Sequence, residues 1–442
     1  MSNIQSPTSN DQQPKTILAD LHLHSRFSRA CSKQLNLPNL RAWSQLKGLD
    51  LIATADFTHP EWFAELQTQL TESKTAPGLY ELQQKFANAA TVTVPLSCQN
   101  RKVHFIFSTE ISLIYKKGER CRKIHYVILA PSLQAAAKLN QALDQRGNLH
   151  ADGRPILGLT SEELLTIILQ ISPDFELIPA HVWTPHFAIF GSKSGFDSVE
   201  ECFGDLSPHI HALETGLSSD PPMNWQIQKN DQYVLVSSSD AHSLAKLGRE
   251  ATIFQTELSY PALLRALRSE HHKIATLEFF PEEGKYHADG LRAEKLCLTP
   301  AATKQANYVS PQTGKPITVG VLHRISNLAD RQPGTQKPQA NPYFSLIPLT
   351  EILTEILGVG PNSKKVQQRY FELISTLGPE LLILKDVPLP TIEQTDSLLA
   401  EALKRMRASQ VQIQPGYDGE YGVIRLFKPG EIASQGQLAF GF

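Results

Sequence analysis

The chain has 442 residues, with 42 Lys and Arg against 44 Asp and Glu, a formal net charge of −2 and a pI near 6.7. At about 150 residues per domain there is room for two or three domains with sizeable cores. The charge balance excludes a protein that holds nucleic acid by bulk positive charge, so any contact to DNA must come from local basic patches. The cysteines, Cys31, Cys98, Cys121, Cys202 and Cys297, are odd in number and scattered, which points to reduced thiols in a cytoplasmic protein rather than a disulfide framework. No signal peptide is legible, and no apolar run approaches the roughly 20 residues of a membrane helix, so no membrane partner is expected.

Residues 1–16 are rich in Ser, Asn, Gln and Pro and are expected to form a disordered tail. The next stretch, 17–24, carries Asp20-Leu21-His22-Leu23-His24-Ser25. As a strand its side chains alternate between faces, so Asp20, His22 and His24 project together. Two imidazoles converging from a rigid strand end are natural metal ligands. A His-x-His pair alone is more often surface decoration, so the argument rests on the segments that follow. Strands expected at 49–55, 103–108, 123–129, 176–180 and 233–236 end in, or carry, Asp56 with His59, Glu110, His125, His181, and Asp240 with His242. Amphipathic helices are expected between them at 61–70, 161–171 and 261–269. This alternation is the rhythm of a β/α barrel, whose active site gathers at the carboxyl ends of its strands.

The spacing of these residues resembles the PHP (polymerase and histidinol phosphatase) superfamily of metal-dependent phosphoesterases. Longer strings, Asp56-Phe57-Thr58-His59-Pro60-Glu61-Trp62, Ala180-His181-Val182-Trp183-Thr184-Pro185 and Gly195-Phe196-Asp197-Ser198, resemble endonuclease Q within it. The likeness continues through Gly320-Val321-Leu322-His323-Arg324 and Pro415-Gly416-Tyr417-Asp418-Gly419. The resemblance implies an α/β fold: a PHP-type distorted β/α barrel at 17–282, a degenerate zinc-ribbon-like module at 283–325 and a mainly helical, DNA-binding domain at 326–442. It implies a metal-dependent endodeoxyribonuclease of DNA repair that cuts the phosphodiester 5′ of uracil, hypoxanthine, xanthine or an abasic site. His22, His24, Asp56, His59, Glu110, His125, His181, Asp240 and His242 are carried over as ligands of two or three divalent metal ions, zinc first, manganese or magnesium as alternatives. Glu110 and Asp240, as carboxylates able to bridge two ions, are the expected catalytic pair. His59 departs from the family pattern, in which the histidine directly follows the aspartate. The alternative reading is a PHP phosphatase acting on a small phosphomonoester.

The chemistry fits such a donor set. Phosphodiester hydrolysis at neutral pH needs a deprotonated water and compensation of charge on phosphate and leaving oxygen, which clustered divalent metals supply, and mixed imidazole and carboxylate ligation suits zinc, manganese or iron. Asp20 is expected either to orient a ligand imidazole or to be a core-edge carboxylate. Arg26, Arg29 and Lys33 follow the histidine pair and are candidates for gripping the DNA backbone, with ordinary surface charge as the alternative. Trp183 and Phe187, beside His181, either stack on a displaced base or belong to the core. In the ribbon-like module the resemblance implies two Cys-x-x-Cys pairs, but the matching positions are Glu294 and Cys297, then Ser310 and Thr313, which leaves one thiolate where a structural zinc needs about four good ligands. Beyond it, helices are expected at 348–358, 364–377 and 398–406 and a strand at 422–427. The glycine-rich connection before Lys364 and Lys365 is a candidate phosphate seat or an ordinary capped turn.

Overall fold

The structure, a computed structural model, describes residues 16–432. The tail expected at 1–16 lies outside the described residues except for Thr16, which opens the first strand. The barrel strands are β1 (Thr16–Asp20), β2 (Leu51–Ala53), β3 (His104–Lys117), β4 (Arg120–Ala130), β5 (Glu176–Pro179), β6 (Ala212–Glu214), β7 (Val234–Val236), β8 (Ala251–Gln255) and β9 (Ile274–Glu278). Most of them read as unbroken apolar runs, as strands covered on both faces do.

β1, β2 and β3 run parallel, in register Ala19 to Leu51 and Leu51 to His104. β3 then turns through Gly118 (φ 60°) into an antiparallel hairpin with β4, which pairs antiparallel with β5. β6 and β7 are parallel to each other. The Val182 N–H donates to Glu214 O (3.0 Å) and carries the wall from the end of β5 to β6. The Ser237 N–H donates to Thr252 Oγ1 (3.0 Å), which brings the end of β7 to β8. β8 lies antiparallel to both β1 and β9 and completes the ring. The barrel is therefore distorted: antiparallel pairs interrupt the all-parallel order that the strand and helix alternation suggests.

Alternate strand residues, Ile17, Ala19, Ile106, Val127, Ile178 and Val234 among them, form one buried cluster, and a larger one lies between the strands and the surrounding helices. Ile106 and Val127 share strand parity with Glu110 and His125, so the apolar fill leads directly up to the polar site. Helices α1 (Leu37–Lys47), α2 (Pro60–Gln69), α3 (Leu133–Asp144), α4 (Ser161–Ile171) and α5 (Tyr260–Arg268) pack outside. α4 starts where a capping box forms between Thr160 and Glu163. α2 and α5 each begin one residue earlier than the sequence suggests.

After the barrel, strands β10 (Asp289–Leu291) and β11 (Leu296–Leu298) form a small ribbon. Glu294 accepts hydrogen bonds from the Ser310 and Thr313 hydroxyls, while Cys297 is exposed. Helices α6 (Leu349–Leu357), α7 (Lys364–Leu377) and α8 (Ser397–Arg407) follow. A buried ion pair from Lys47 to Glu380 (2.5 Å) fixes this helical region to α1, and Glu380 also accepts from the Tyr370 hydroxyl and the Leu349 N–H. No helix among the described residues is long and apolar enough to cross a membrane.

Candidate metal centre

β1 ends at Asp20, so His22 and His24 ride on an extension beyond it rather than inside a strand. Leu23 bridges Ala241 in parallel, and the His24 N–H donates to Ala241 O (3.1 Å). Glu110 lies within the long strand β3 rather than at its end. Four positions around the site, Ala55, Asp56, His181 and Asp240, hold positive φ values of 60°, 39°, 33° and 47°. Left-handed backbone at non-glycine residues costs on the order of 1 to 3 kcal/mol each and clusters where geometry is dictated by function. Gly216 makes room for one of them, since a Cβ there would stand 2.5 Å from that of His181.

Two groups of donor atoms result. His22, His24, Glu110 and Asp240 offer atoms all within 4.8 Å of one another, and so do Glu110, His125 and His181. Glu110 belongs to both: its Oε2 faces His24 Nε2 (3.2 Å) and His22 Nε2 (3.6 Å), its Oε1 His125 Nδ1 (2.7 Å) and His181 Nε2 (3.2 Å). Asp240 Oδ1 stands 3.1 Å from His24 Nε2. Metal–ligand bonds of 2.0 to 2.2 Å in tetrahedral array put ligand atoms roughly 3.3 to 3.6 Å apart. His22 Nε2, His24 Nε2 and Asp240 Oδ1 are buried and accept or donate no hydrogen bond. Buried polar atoms are rarely left so, and here their convergence fits a cation.

The far nitrogens of the imidazoles are held. His22 Nδ1 lies 3.0 Å from Glu214, His24 Nδ1 3.2 Å from Asp56, and His181 Nδ1 3.0 Å from the Thr184 hydroxyl. Such partners set the tautomer and aim the free nitrogen at the metal. Burial disfavours the imidazolium of His22 and His24, yet Glu214 and Glu110 around the first, and Asp240 and Asp56 around the second, outweigh it and hold both pKa values well above the usual range. Burial likewise opposes the Glu110 carboxylate, but His125 and His22 beside it hold its pKa well below normal. Burial pushes His125 down to about 4, against the opposite pull of Glu110. The site is thus a negative field that calls for a cation.

Several expected ligands sit elsewhere. Asp56 is one layer back: its Oδ2 accepts from the Ser25 N–H, the Ser25 hydroxyl and the Ser28 hydroxyl, and its Oδ1 faces His24, so its lone pairs are consumed. His59 is outside both groups, because the two intervening residues carry it to the start of α2, where its ring stacks on Phe27 at 4.3 Å. His242 is at the rim, its ring 4.6 Å from that of His24 and its Nδ1 on the Asp240 carbonyl (2.9 Å). Asp20 orients no imidazole; it accepts from the N–H groups of Ser239 (3.0 Å) and Gly248 (2.9 Å) and so braces the turn that presents Asp240.

Arg29 and Lys33 are exposed, whereas Arg26 is paired with Glu65 and lies over Phe27 and Trp62. Trp183 is core, donating to Asn224 Oδ1 (2.7 Å), while Phe187 packs on His125 at the site's edge. Lys364 and Lys365 are exposed at the first turn of α7, capped by Ser363. Sequence reasoning missed Glu214 and Arg154, whose Nη1 donates to Glu110 Oε2 (3.0 Å). Both occupy stretches without any motif.

The chain is similar to several known proteins. The family model of the MJ0043 C-terminal domain matches residues 348–410. The uncharacterized protein MJ0043 of Methanocaldococcus jannaschii is 31% identical over 57% of this chain, which spans 32% of that protein's length. The uncharacterized protein YqxK of Bacillus subtilis is 27% identical over 93% of this chain and all (100%) of its own. Among solved structures, the lesion-specific endonuclease PfuEndoQ from Pyrococcus furiosus shares 28% identity at a TM-score of 0.80, over 93% of this chain and 95% of that one. Endonuclease Q in complex with a 27-mer duplex substrate carrying an abasic lesion at the active site shares 27% identity at a TM-score of 0.78, over 94% and 98%.

Proposed function

We propose, taking as premise that this chain is an endonuclease Q-like protein of the PHP superfamily, that it is a metal-dependent DNA repair endonuclease which cuts the backbone 5′ of a deaminated base or an abasic site. The observation that carries the reading is Glu110, a single buried carboxylate shared by two groups of converging imidazole and carboxylate atoms, in a fold that matches endonuclease Q along nearly its whole length.

His22, His24, Glu110 and Asp240 would hold one divalent ion, and Glu110, His125 and His181 a second, with zinc suited to such a donor set and manganese or magnesium as alternatives. When bound, these ions lower the pKa of a water and offset charge on the phosphate oxygens. The chain's own residues do the rest. Glu214, Asp56 and Thr184 keep three imidazoles aimed, and Asp20 fixes the backbone that carries Asp240. Beside Thr184, whose hydroxyl meets His181, a cavity of about 720 Å³ opens between the barrel, at Thr184, His186 and Lys193, and the segments after it, at Tyr286, His287 and Tyr421. Its size suits one extruded nucleotide, and duplex on either side would meet Lys285 between the Tyr286 and Tyr421 rings.

The test is incubation of purified protein with labelled duplexes holding one uracil, hypoxanthine or abasic site, beside an undamaged duplex and a chromogenic phosphomonoester. Incision of the damaged strands alone is expected. Asp240→Ala should reduce it by about 1,000-fold or more while lesion binding persists, because Asp240 does not line that cavity. Cleavage by that variant within tenfold of wild type, or turnover of the phosphomonoester alone, overturns the reading.

A further inference from the structure

Among the described residues, Arg154 is the arginine that pairs with Glu110 in the candidate ligand cluster, and the backbone on either side of it is pinned. Its N–H donates to Asp152 Oδ1 (3.0 Å). The preceding Gly153 donates to Phe27 O (3.0 Å) and approaches Asp56 so closely that a Cβ there would stand 2.4 Å from Asp56 Oδ2 and from Ser28 Oγ. On the other side Pro155 O accepts from Ser112 N–H (3.0 Å), and the strand Ile156–Leu157 is paired in parallel with β3. The loop is clamped from both ends to the elements that carry Asp56 and Glu110.

The guanidinium reaches Glu110 Oε2, on the side shared with His22 and His24, through Nη1. That is the sole hydrogen bond its side chain makes among the described residues, and the side chain keeps 27% of its surface exposed. Four of its five N–H donors thus remain for a partner. Burial works against its charge, but Glu110 and Asp240 outweigh that and raise its pKa, so it stays a cation that neither takes nor gives a proton. A planar fork of donors at the edge of a carboxylate-lined metal cluster matches a phosphate oxygen pair.

We propose that Arg154 is a catalytic residue that binds a non-bridging oxygen of the scissile phosphate and stabilises the charge gathered there in the transition state. The inference rests on the nuclease reading above. Hydrolysis joins a water oxygen to phosphorus and breaks one ester bond, with one water proton ending on the leaving oxygen and the other in solvent. Arg154 contributes hydrogen bonds and charge to that change, and no proton.

The experiment compares wild type, Arg154→Ala and Arg154→Lys on a uracil duplex and on bis(4-nitrophenyl) phosphate, a diester without a base, together with metal content, melting temperature and inhibition by inorganic phosphate. Arg154→Ala should lose about 100- to 1,000-fold in kcat, as loss of one aimed oxyanion donor does. Its KM for duplex should change little, its metal content should equal that of wild type, and phosphate should inhibit it about tenfold more weakly. Arg154→Lys should recover part of kcat by charge without the fork. Retention of kcat within threefold, unchanged phosphate inhibition, or loss of metal in step with activity overturns the assignment, the last by showing that Arg154 only steadies Glu110. Failure of wild type on the duplex with an intact Arg154 effect on the diester would sink the nuclease reading and leave the phosphate contact standing.

Discussion

At the scale of single residues, the metal-competent side chains that declared themselves in the sequence are those at the end of, or carried within, short apolar runs. His22, His24, Glu110, His125, His181 and Asp240 could be picked out because a polar, metal-competent side chain in or just after a buried apolar run is an anomaly that burial cost makes informative. The structure brings all six to one place. The residues behind them were illegible for the same reason: Glu214 closes Ala-Leu-Glu, indistinguishable from a core-edge acid until β6 is seen to deliver it to His22. Asp56 was visible but misplaced by one layer, since sequence cannot say whether a carboxylate faces a metal or an imidazole. Glu214 carries a prediction. Its carboxylate touches His22 Nδ1 and accepts from the His181 N–H (2.9 Å), so it aims ligands in both groups. Glu214→Gln keeps the shape and loses the charge, and should weaken metal affinity by about 10- to 100-fold. Chelator titration of metal-loaded protein measures this; affinity equal to wild type would show that the imidazoles are aimed by packing alone.

At the scale of elements, helix existence and type were legible from apolar spacing and caps, as at α4 and α7, which occupy the expected 161–171 and 364–377. The long β3–β4 hairpin was not, because a strand buried on both faces has no alternation to mark where it passes the site. The ribbon module is held by hydrogen bonds at the positions where the resemblance implies thiols. Glu294 accepts from the Ser310 and Thr313 hydroxyls, and Ser310 Oγ in turn accepts from the Gln312 N–H (3.1 Å). The clasp is closed by hydrogen bonds, and one exposed thiol beside it offers no tetrahedral site. Cys297→Ser is expected to change neither bound zinc nor melting temperature, whereas Glu294→Ala should lower the latter by a few degrees. Metal analysis with a melting curve decides it; one zinc lost on Cys297→Ser would show that the ribbon binds metal.

At the scale of the molecule, the alternation of strands and helices pointed to a barrel, but the antiparallel closure of β8 onto β1 lies in pairings between segments more than 200 residues apart, such as Ile17 with Phe254, which no local pattern encodes. Charge is likewise a property of arrangement. With 42 basic and 44 acidic residues, any affinity for DNA must come from local groups of exposed cations; the candidates are Arg29 and Lys33, after the histidine pair, and Lys364 and Lys365 at the start of α7, where free helix N–H groups add to their charge. Gly358 (φ 65°) turns the chain out of α6, and the space around it and Gly360 is open, so a phosphate could approach that backbone. If these contacts hold the duplex, the logarithm of the binding constant falls linearly with the logarithm of salt at about −0.9 per phosphate neutralised. Replacing Lys364 and Lys365 together by Ala should make the slope shallower by about two while kcat on bound substrate stays near wild type, since neither lysine touches the metal centre. Binding by fluorescence anisotropy across a salt series reads the slope directly. A variant slope equal to that of wild type would remove the α6–α7 turn from the DNA interface and leave the duplex held by the barrel rim alone.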